Sequence, residues 1–447
     1  MISLQDSKIE WLGKIPKHWF VAKLKNQCQI IPSNVDKKSH DNETEVRLCN
    51  YLDVYNNESI DDSIEYMVAT ANEHELKKFQ LFEGDVLITK DSEDPYDIAV
   101  PALVVKTQPK LLCGYHLSII RSANQNFCGP YIFWALRDAS IASQLHREAT
   151  GITRWAIANR HVKNSIIPLP PETEQKAIAA YLDKTCAAID KAIEAKQNQL
   201  GVLDALRKSI IHKAVTRGLD DSVELKDSGV EWLGRIPSTW NSQRIKDVAK
   251  LSPSFSVGKP TMTDLCTVMP MEAVSESGEI STDQLQKFNS ISGGLTNFEV
   301  GDIIFAKITP CMENGKGAYI IALPTKYAFG STEFHVLRPS DKVDGKFLYY
   351  YTFNSVYRKY AEKNMTGATG QKRVSSNFLK YTRIYLPDVM TQRNIADYLD
   401  EKCSELTELQ ATIVTQISTL KQYRKSLIHE CVTGKRRITE EGVHNQL

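Results

Sequence analysis

The sequence predicts an α+β chain with two similar globular domains and two long helices paired as an antiparallel coiled coil. An internal pseudo-two-fold repeat relates the two halves. Three observations carry this. A long proline-free segment is written twice: Glu174 to Thr216 and Thr391 to Thr433 align without a gap at an offset of 217, with 16 of 43 positions identical. Each copy carries one apolar stripe at alternating steps of four and three. The segments before the helices also repeat, in the same order. A period this long marks a duplicated domain and not a solenoid.

Each half opens on a tryptophan motif. Residues 6–19 read DSKIEWLGKIPKHW and residues 227–240 read DSGVEWLGRIPSTW, with nine of fourteen positions shared. Tryptophans spaced around an Ile-Pro step suit an extended segment that pins its rings into a core.

A more variable stretch follows. FEGDVLITK (82–90) parallels FEVGDIIFAK (298–307), an acidic turn, Gly-Asp and a short strand ending on Lys90 or Lys307. GYHLSIIR (114–121) parallels GSTEFHVLR (330–338) as a second strand. GPYIFWAL (129–136) parallels GKFLYYYTF (345–353), whose aromatics suit a short buried helix. The halves share a scaffold while their surfaces diverge, which fits two copies binding related but different things.

Each stretch ends in a basic loop that leads back to the long helix, residues 150–175 and 366–392. Both begin Thr-Gly, gather Arg154, Arg160 and Lys163 or Lys372, Arg373 and Lys380, then run through a short strand to Leu-Pro. A basic loop bearing hydroxyls and amides on a rigid scaffold suits contact with phosphates or base edges.

The helices themselves follow. Their seams run Leu182, Cys186, Ile189, Ile193, Lys196, Leu200, Leu203, Arg207, Ile210, Ala214, and Leu399, Cys403, Leu406, Gln410, Ile413, Ile417, Leu420, Arg424, Leu427, Cys431, with eight of ten apolar in each. Each helix spans roughly 65 Å, and its stripe needs a partner, most economically the other copy. A pure spacer has no reason to repeat RKSxIHxxVT (Arg207 to Thr216, Arg424 to Thr433), so that end is expected to be a partner-docking surface.

Composition narrows the class. At 447 residues the chain holds about two to four domains. Apolar content of 42% and charged content of 24% are ordinary for a globular protein, and a net charge of +1 confines any nucleic-acid surface to local patches. Nine cysteines without a CxxC pair read as thiols in a reducing cytosol. With no apolar run near the roughly 18 residues of a membrane span, and an opening MISLQDSKIEW unlike a signal peptide, a soluble cytoplasmic protein is expected.

Motifs of catalysis are imitated but incomplete. Asp94-Pro95-Tyr96 lacks the second proline of the amino-methyltransferase box. Asp85 with Lys90, and Asp302 with Lys307, lack the second carboxylate of a metal-dependent nuclease, since Ile88 and Phe305 stand in its place. Glu313 to Gly317 lacks P-loop spacing, and the ten histidines form no ligand set. No active site and no metal site is read.

In its duplicated openings, its Thr-Gly loops, its Leu-Pro-Pro…Glu-Gln helix start and its RKSIIxxAVTxGL helix end, the chain resembles the specificity subunit of type I restriction–modification systems. The resemblance covers nearly all 447 residues. It implies target-recognition domains at 1–170 and 218–386, a central long helix at 171–217, a distal long helix at 387–434 and a tail at 435–447. It further implies a non-catalytic subunit whose two domains each read half of a split double-stranded DNA target. The helices would space the domains and dock two methyltransferase subunits, with restriction nuclease subunits joining. S-adenosylmethionine, ATP and magnesium would be bound by those partners.

Candidate DNA-contacting residues are Lys90, Asp91, Arg154 and Arg160 in the first half. In the second they are Lys307, Glu313, Asn314, Lys316, Gln371, Lys372 and Arg373. Candidate partner-docking residues are Gln175, Tyr181, Arg207 and His212, with Gln392, Tyr398, Arg424 and His429 as their repeats. Thr391 in place of Glu174 is a departure that unsettles equivalent docking at the second helix start. The alternative reading is a coiled-coil scaffold or a DNA-binding module without restriction activity.

Overall fold

A computed structural model describes residues 3–123, 128–291, 293–368, 370–439 and 442–444. The chain divides into two units, one built from residues 1–197 and 415–447, the other from residues 198–414. Each unit therefore owns one globular body and a portion of both long helices, α3 (Glu172–Arg217) and α6 (Val389–Val432).

In the first unit a five-stranded sheet runs Cys28–Pro32, Leu117–Ser122, Val86–Thr89, Pro101–Val104, Ser59–Ile60 in spatial order. Its centre, Val86–Thr89, is buried along its whole length and pairs antiparallel with both neighbours, Val86 opposite Ile120 and Leu103. Burial on both faces explains the apolar run Val86, Leu87 and Ile88. The apolar stretch read from sequence as a helix is α1 (Gly129–Arg137), packed on Pro101–Val104 and Val86–Thr89, with Tyr131, Ile132, Phe133 and Trp134 inside. A second helix, α2 (Ala139–His146), follows with Asp138 as its N-cap.

The second unit repeats the plan with different edges. A four-stranded sheet runs Ala249–Leu251, Phe334–Pro339, Ile303–Ala306, Gly317–Tyr319, and a second sheet runs Leu285–Lys287, Leu265–Met269, Tyr327–Gly330, Thr296–Phe298. Ile303–Ala306 takes the central place of Val86–Thr89, with Ile303 opposite Leu337. The buried helix is α4 (Gly345–Phe353), followed by α5 (Ser355–Lys363) with Asn354 as its N-cap.

The Gly-Asp pairs that imitate a nuclease motif are structural clamps. Asp85 receives Arg121 at 2.8 and 2.7 Å, and Asp302 receives Arg338 at 2.7 and 2.7 Å. Each carboxylate also accepts a turn amide, from Phe82 or Glu299 at 2.8 Å. Both aspartates are buried (2% and 0% exposed). Removing one partner of such a pair costs about 3–5 kcal/mol, reason enough to keep both. Asp94 likewise caps a short 3-10 turn through the Tyr96 amide.

Each unit closes on a helix end from the other repeat. In the first unit α6 stops at Gly434 (φ +73), where a Cβ would lie 2.4 Å from Pro16 and 3.1 Å from Trp19. In the second, α3 stops at Gly218 (φ +79) beside the Trp240 ring. Left-handed glycine ends a helix at low cost, and here it also admits the tryptophan motif. The openings are thus short hairpins whose second tryptophan is buried, Trp19 at 2% and Trp240 at 4% exposed.

Within each unit the two helices run antiparallel. In the first, Asp190 meets Arg424 at 3.0 Å and Lys196 meets Gln416 at 2.5 Å, so partners descend in α6 as they ascend in α3. In the second, Arg207 meets Thr407 at 2.7 Å, and Ile211, Ala214 and Val215 share a core with Leu399, Ala396 and Ile395. The apolar seam is buried at Ile189, Ile193, Leu406, Ile413 and Ile417.

Candidate nucleic-acid interface

In both units the basic loop is hung on the strand that ends in lysine. The Ile157 amide donates to the Lys90 carbonyl, and the Val374 amide to the Lys307 carbonyl, each at 2.9 Å. The two positions are 217 apart, so the mounting is duplicated. What the mounting presents is not.

In the first unit the loop is a tight hairpin, Thr150–Gly151 against Trp155–Ala156, added to Asp91–Ser92 as a third strand. A Cβ on Gly151 would sit 2.1 Å from the Arg154 carbonyl oxygen, which fixes glycine there. The exposed Arg154 donates to Asp91 Oδ1 from Nε at 3.0 Å and from a terminal nitrogen at 2.5 Å. Asp91 Oδ2 lies 2.8 Å from His116 Nδ1. Stacked Tyr51 and Tyr55 rings and the Tyr115 ring lie around His116. An open pocket of about 550 Å³ brings Lys37, Asn50, Tyr51, His116 and Arg154 together. Donors, acceptors and aromatic faces on one open surface can read base edges and phosphates.

In the second unit the loop carries Gln371 and Lys372 exposed and Arg373 half-buried. The Thr309 amide donates to the Lys372 carbonyl at 3.0 Å, and the Lys372 amide to Thr309 Oγ1 at 3.2 Å. Arg373 donates to Glu333 from Nε at 3.0 Å and from a terminal nitrogen at 2.8 Å. Those donors hold the Glu333 carboxyl below its usual range. Beneath them His335 is buried (3% exposed), bonds the Val374 carbonyl at 2.9 Å, and is pushed down to about 4 by burial. At neutral pH its ring is uncharged and donates from Nε2.

The remaining candidates scatter. Lys90 turns inward: its amine donates to the Ser33 carbonyl at 2.9 Å, and burial lowers its pKa. Arg160 is exposed beside His161. Lys307 is half-buried, and Lys316 leans on the Met271 carbonyl at 3.3 Å. Glu313 and Asn314 line a different cleft, beside Arg207 and Arg358. Sequence reasoning passed over His116, Tyr51 and Glu333. His116 and Glu333 lay in view, in GYHLSIIR and GSTEFHVLR, yet both segments read only as strands.

The residues expected to dock a partner mostly face their own unit. Gln175 and Gln392 are each 1% exposed. Each accepts a backbone amide (Cys128 at 3.0 Å, Asp344 at 2.8 Å) and donates to a carbonyl before the helix (Pro170 and Pro387, both 2.9 Å). They staple the helix start and offer a partner almost no surface. Arg424 meets Glu58 and Asp190, and His429 meets Asp138 at 2.9 Å. Arg207 meets Thr407 and Gln410, and His212 meets Asn354 at 3.2 Å. The repeated helix end therefore has an intramolecular task, docking a helix on a globular body. Tyr181 and Tyr398 are half-buried. The exchange of Glu174 for Thr391 is also internal: Glu174 accepts from Trp19 at 2.8 Å and pairs with His18, whereas Thr391 bonds the N-capping Asp388 at 2.6 Å.

Among the described residues no group of His, Cys, Asp and Glu could hold a metal ion, and no helix is long and apolar enough to cross a membrane.

Each unit is an α+β body that carries the same loop mounting, and the two long helices run through both units. The family model for the type I restriction modification DNA specificity domain matches residues 16–200 and again 237–419, and the chain belongs to that family. The specificity subunit of the type I restriction enzyme EcoAI from Escherichia coli is 30% identical over 195 residues, and that of EcoEI 28% over 195 residues. These matches span 43% of this chain and only 33% and 32% of the two relatives. A putative type I specificity subunit, MjaX of Methanocaldococcus jannaschii, is 25% identical over 96% of both chains. Two solved structures share the fold. A chain from a structure of type I R-M system assembly has a TM-score of 0.69 at 16% identity, covering 94% of this chain and 98% of its own. The HsdS subunit from Thermoanaerobacter tengcongensis has a TM-score of 0.54 at 18% identity, over the same shares.

Proposed function

We propose that each unit reads one half of a bipartite, asymmetric double-stranded DNA target for a type I restriction–modification complex. In this reading the chain performs no methyl transfer or cleavage itself. Methyltransferase subunits, and with them nuclease subunits, dock on the assembly and bring S-adenosylmethionine, ATP and magnesium. The long helices fix the gap between half-sites, a spacing that in duplex DNA repeats every 10 or so base pairs, about 34 Å.

One observation supports this most directly. The loop mounting is the same in both units, but Arg154, Asp91 and His116 stand on the first while Gln371, Lys372, Arg373 and Glu333 stand on the second. Equal mounts with unequal side chains suit one polymer bearing two different words. Arg154, Arg160, Lys307, Gln371, Lys372 and Arg373 are assigned to DNA contact. Lys90 is assigned to holding the loop.

Gel shifts of the full chain with its methyltransferase subunits, on duplexes carrying both half-sites or one, test the assignment. Binding that needs both half-sites at one fixed gap is expected. Equal binding to any duplex would leave only a scaffold, and methylation by the purified chain with S-adenosylmethionine would make it an enzyme.

A further inference from the structure

The repeated helix end is served by carboxylates in one unit and by neutral groups in the other. Arg424 meets Glu58 and Asp190, and His429 meets Asp138. At the same positions of the repeat, Arg207 donates to the Thr407 hydroxyl at 2.7 Å and the Gln410 amide oxygen at 3.0 Å, and His212 faces Asn354. Thr407 stands 217 residues after Asp190, so a carboxylate has become a hydroxyl. The Arg207 Nε is buried with no hydrogen-bond partner among the described residues.

A second guanidinium shares this deficit. Arg358 on α5 is 4% exposed; its Nε donates to the Thr352 carbonyl at 3.0 Å and one terminal nitrogen to the Met312 carbonyl at 2.9 Å. The other terminal nitrogen is buried without a hydrogen-bond partner among the described residues, and the group lies over the Phe305 and Phe353 rings. Burial pushes this guanidinium down to about 10. Buried cations are ordinarily paired, and an unpaired one costs several kcal/mol.

Both arginines line one cleft of about 680 Å³, bounded by α3, the start of α5 and the turn at Glu313–Gly315. Asp204, Lys208, Glu276, Glu313, Lys359 and Glu362 line it too; Asp204 pairs with Lys208 at 2.6 Å, and Glu276, Glu313 and Glu362 form no ion pair among the described residues. Two guanidinium donors inside and carboxylates around them define what fits. With Lys208 paired to Asp204, the three glutamates outnumber Lys359 and disfavour a phosphate dianion. A single carboxylate with cationic groups on either side satisfies both.

We propose that this cleft binds the Asp or Glu side chain of a partner protein, flanked by basic residues, in the role that Glu58 and Asp190 play for Arg424. The carboxylate pairs with the guanidinium groups of Arg207 and Arg358 that line the cleft, and the flanking bases meet the acidic lining. The inference goes beyond target reading and stands whether or not the DNA target is bipartite.

Isothermal titration of the full chain with the capped peptide acetyl-Lys-Glu-Lys-amide tests it. The controls are the Gln counterpart, free sodium glutamate and inorganic phosphate. The Glu peptide is expected to bind at least tenfold tighter than any of the three. Arg207→Gln, whose folding is checked by circular dichroism, is expected to erase that preference. Equal binding of the Glu and Gln peptides, phosphate or free glutamate binding as tightly, or an unchanged preference in the folded variant would each overturn the proposal. The wild-type comparison decides the matter even if the variant fails to fold.

Discussion

Arg424, near the end of the second long helix, places one terminal nitrogen 2.9 Å from both carboxylate oxygens of Glu58, a residue 366 positions earlier in the chain. Glu58 also receives Arg137. The contact fastens the last helix of the chain to the globular body that begins it, so the first unit is closed by a long-range ion pair. Glu58→Gln keeps the shape and removes the charge. Its half-exposed setting and the surviving Asp190 contact limit the loss to about 1–2 kcal/mol. Chemical unfolding followed by tryptophan fluorescence measures it; no loss of stability would mean that the helix is held by its seam alone.

The seam offers a gain. Lys196 occupies an apolar position and spends its amine on Gln416, while the repeat has the buried Ile413 there. Lys196→Ile is expected to stabilise the first unit by about 1 kcal/mol, the partial burial of an aliphatic side chain. A lower unfolding midpoint would show that the Gln416 contact outweighs burial.

Acid should loosen the second unit. His335 has a pKa of about 4 when folded, against 6.5 in its ordinary state. A base depressed by burial binds its proton more weakly when folded, so its contribution is complete above pH 6.5 and falls between pH 6.5 and 4. The slope approaches about 1.4 kcal/mol per pH unit, for a total of about 3 kcal/mol. Glu333, lowered by Arg373, adds loss of the same sign only below the ordinary glutamate range. Urea unfolding at pH 7 and pH 5 should show the loss in wild type and much less in His335→Gln, whose amide can still reach the Val374 carbonyl. Identical pH profiles would remove His335 from the account.

DNA affinity in the presence of methyltransferase subunits should fall steeply with salt. If about six phosphates are neutralised, log affinity falls with log salt at a slope near −5. A slope near zero would place the contacts on neutral groups.

Much of this was legible in the sequence because repetition is a strong signal. The offset of 217, the proline-free seam and the helix-forming GPYIFWAL and GKFLYYYTF each tie a pattern to one geometry. The candidate interface was legible only as two loops. Lys90 and Arg154 are equally basic in the sequence, and only the fold turns one inward to Ser33 and the other outward against Asp91. The repeated Arg and His of the helix ends read as docking residues because a repeat of polar side chains looks like a surface. Their partners Glu58, Asp138 and Asn354 lie 142 to 366 residues away, a distance no local pattern spans.

We propose that two unequal readers each take half of one target. Methylation mapping across the genome of cells carrying the complete complex, with wild-type chain and with Arg373→Ala, tests it most directly. Wild type should mark two short constant sequences separated by a gap of fixed length. Arg373→Ala should relax one position of one half-site, the loss of about 1–3 kcal/mol from a single base contact, and leave the other half-site and the gap unchanged. A contiguous target, or relaxation of both half-sites by this one substitution, would contradict the account.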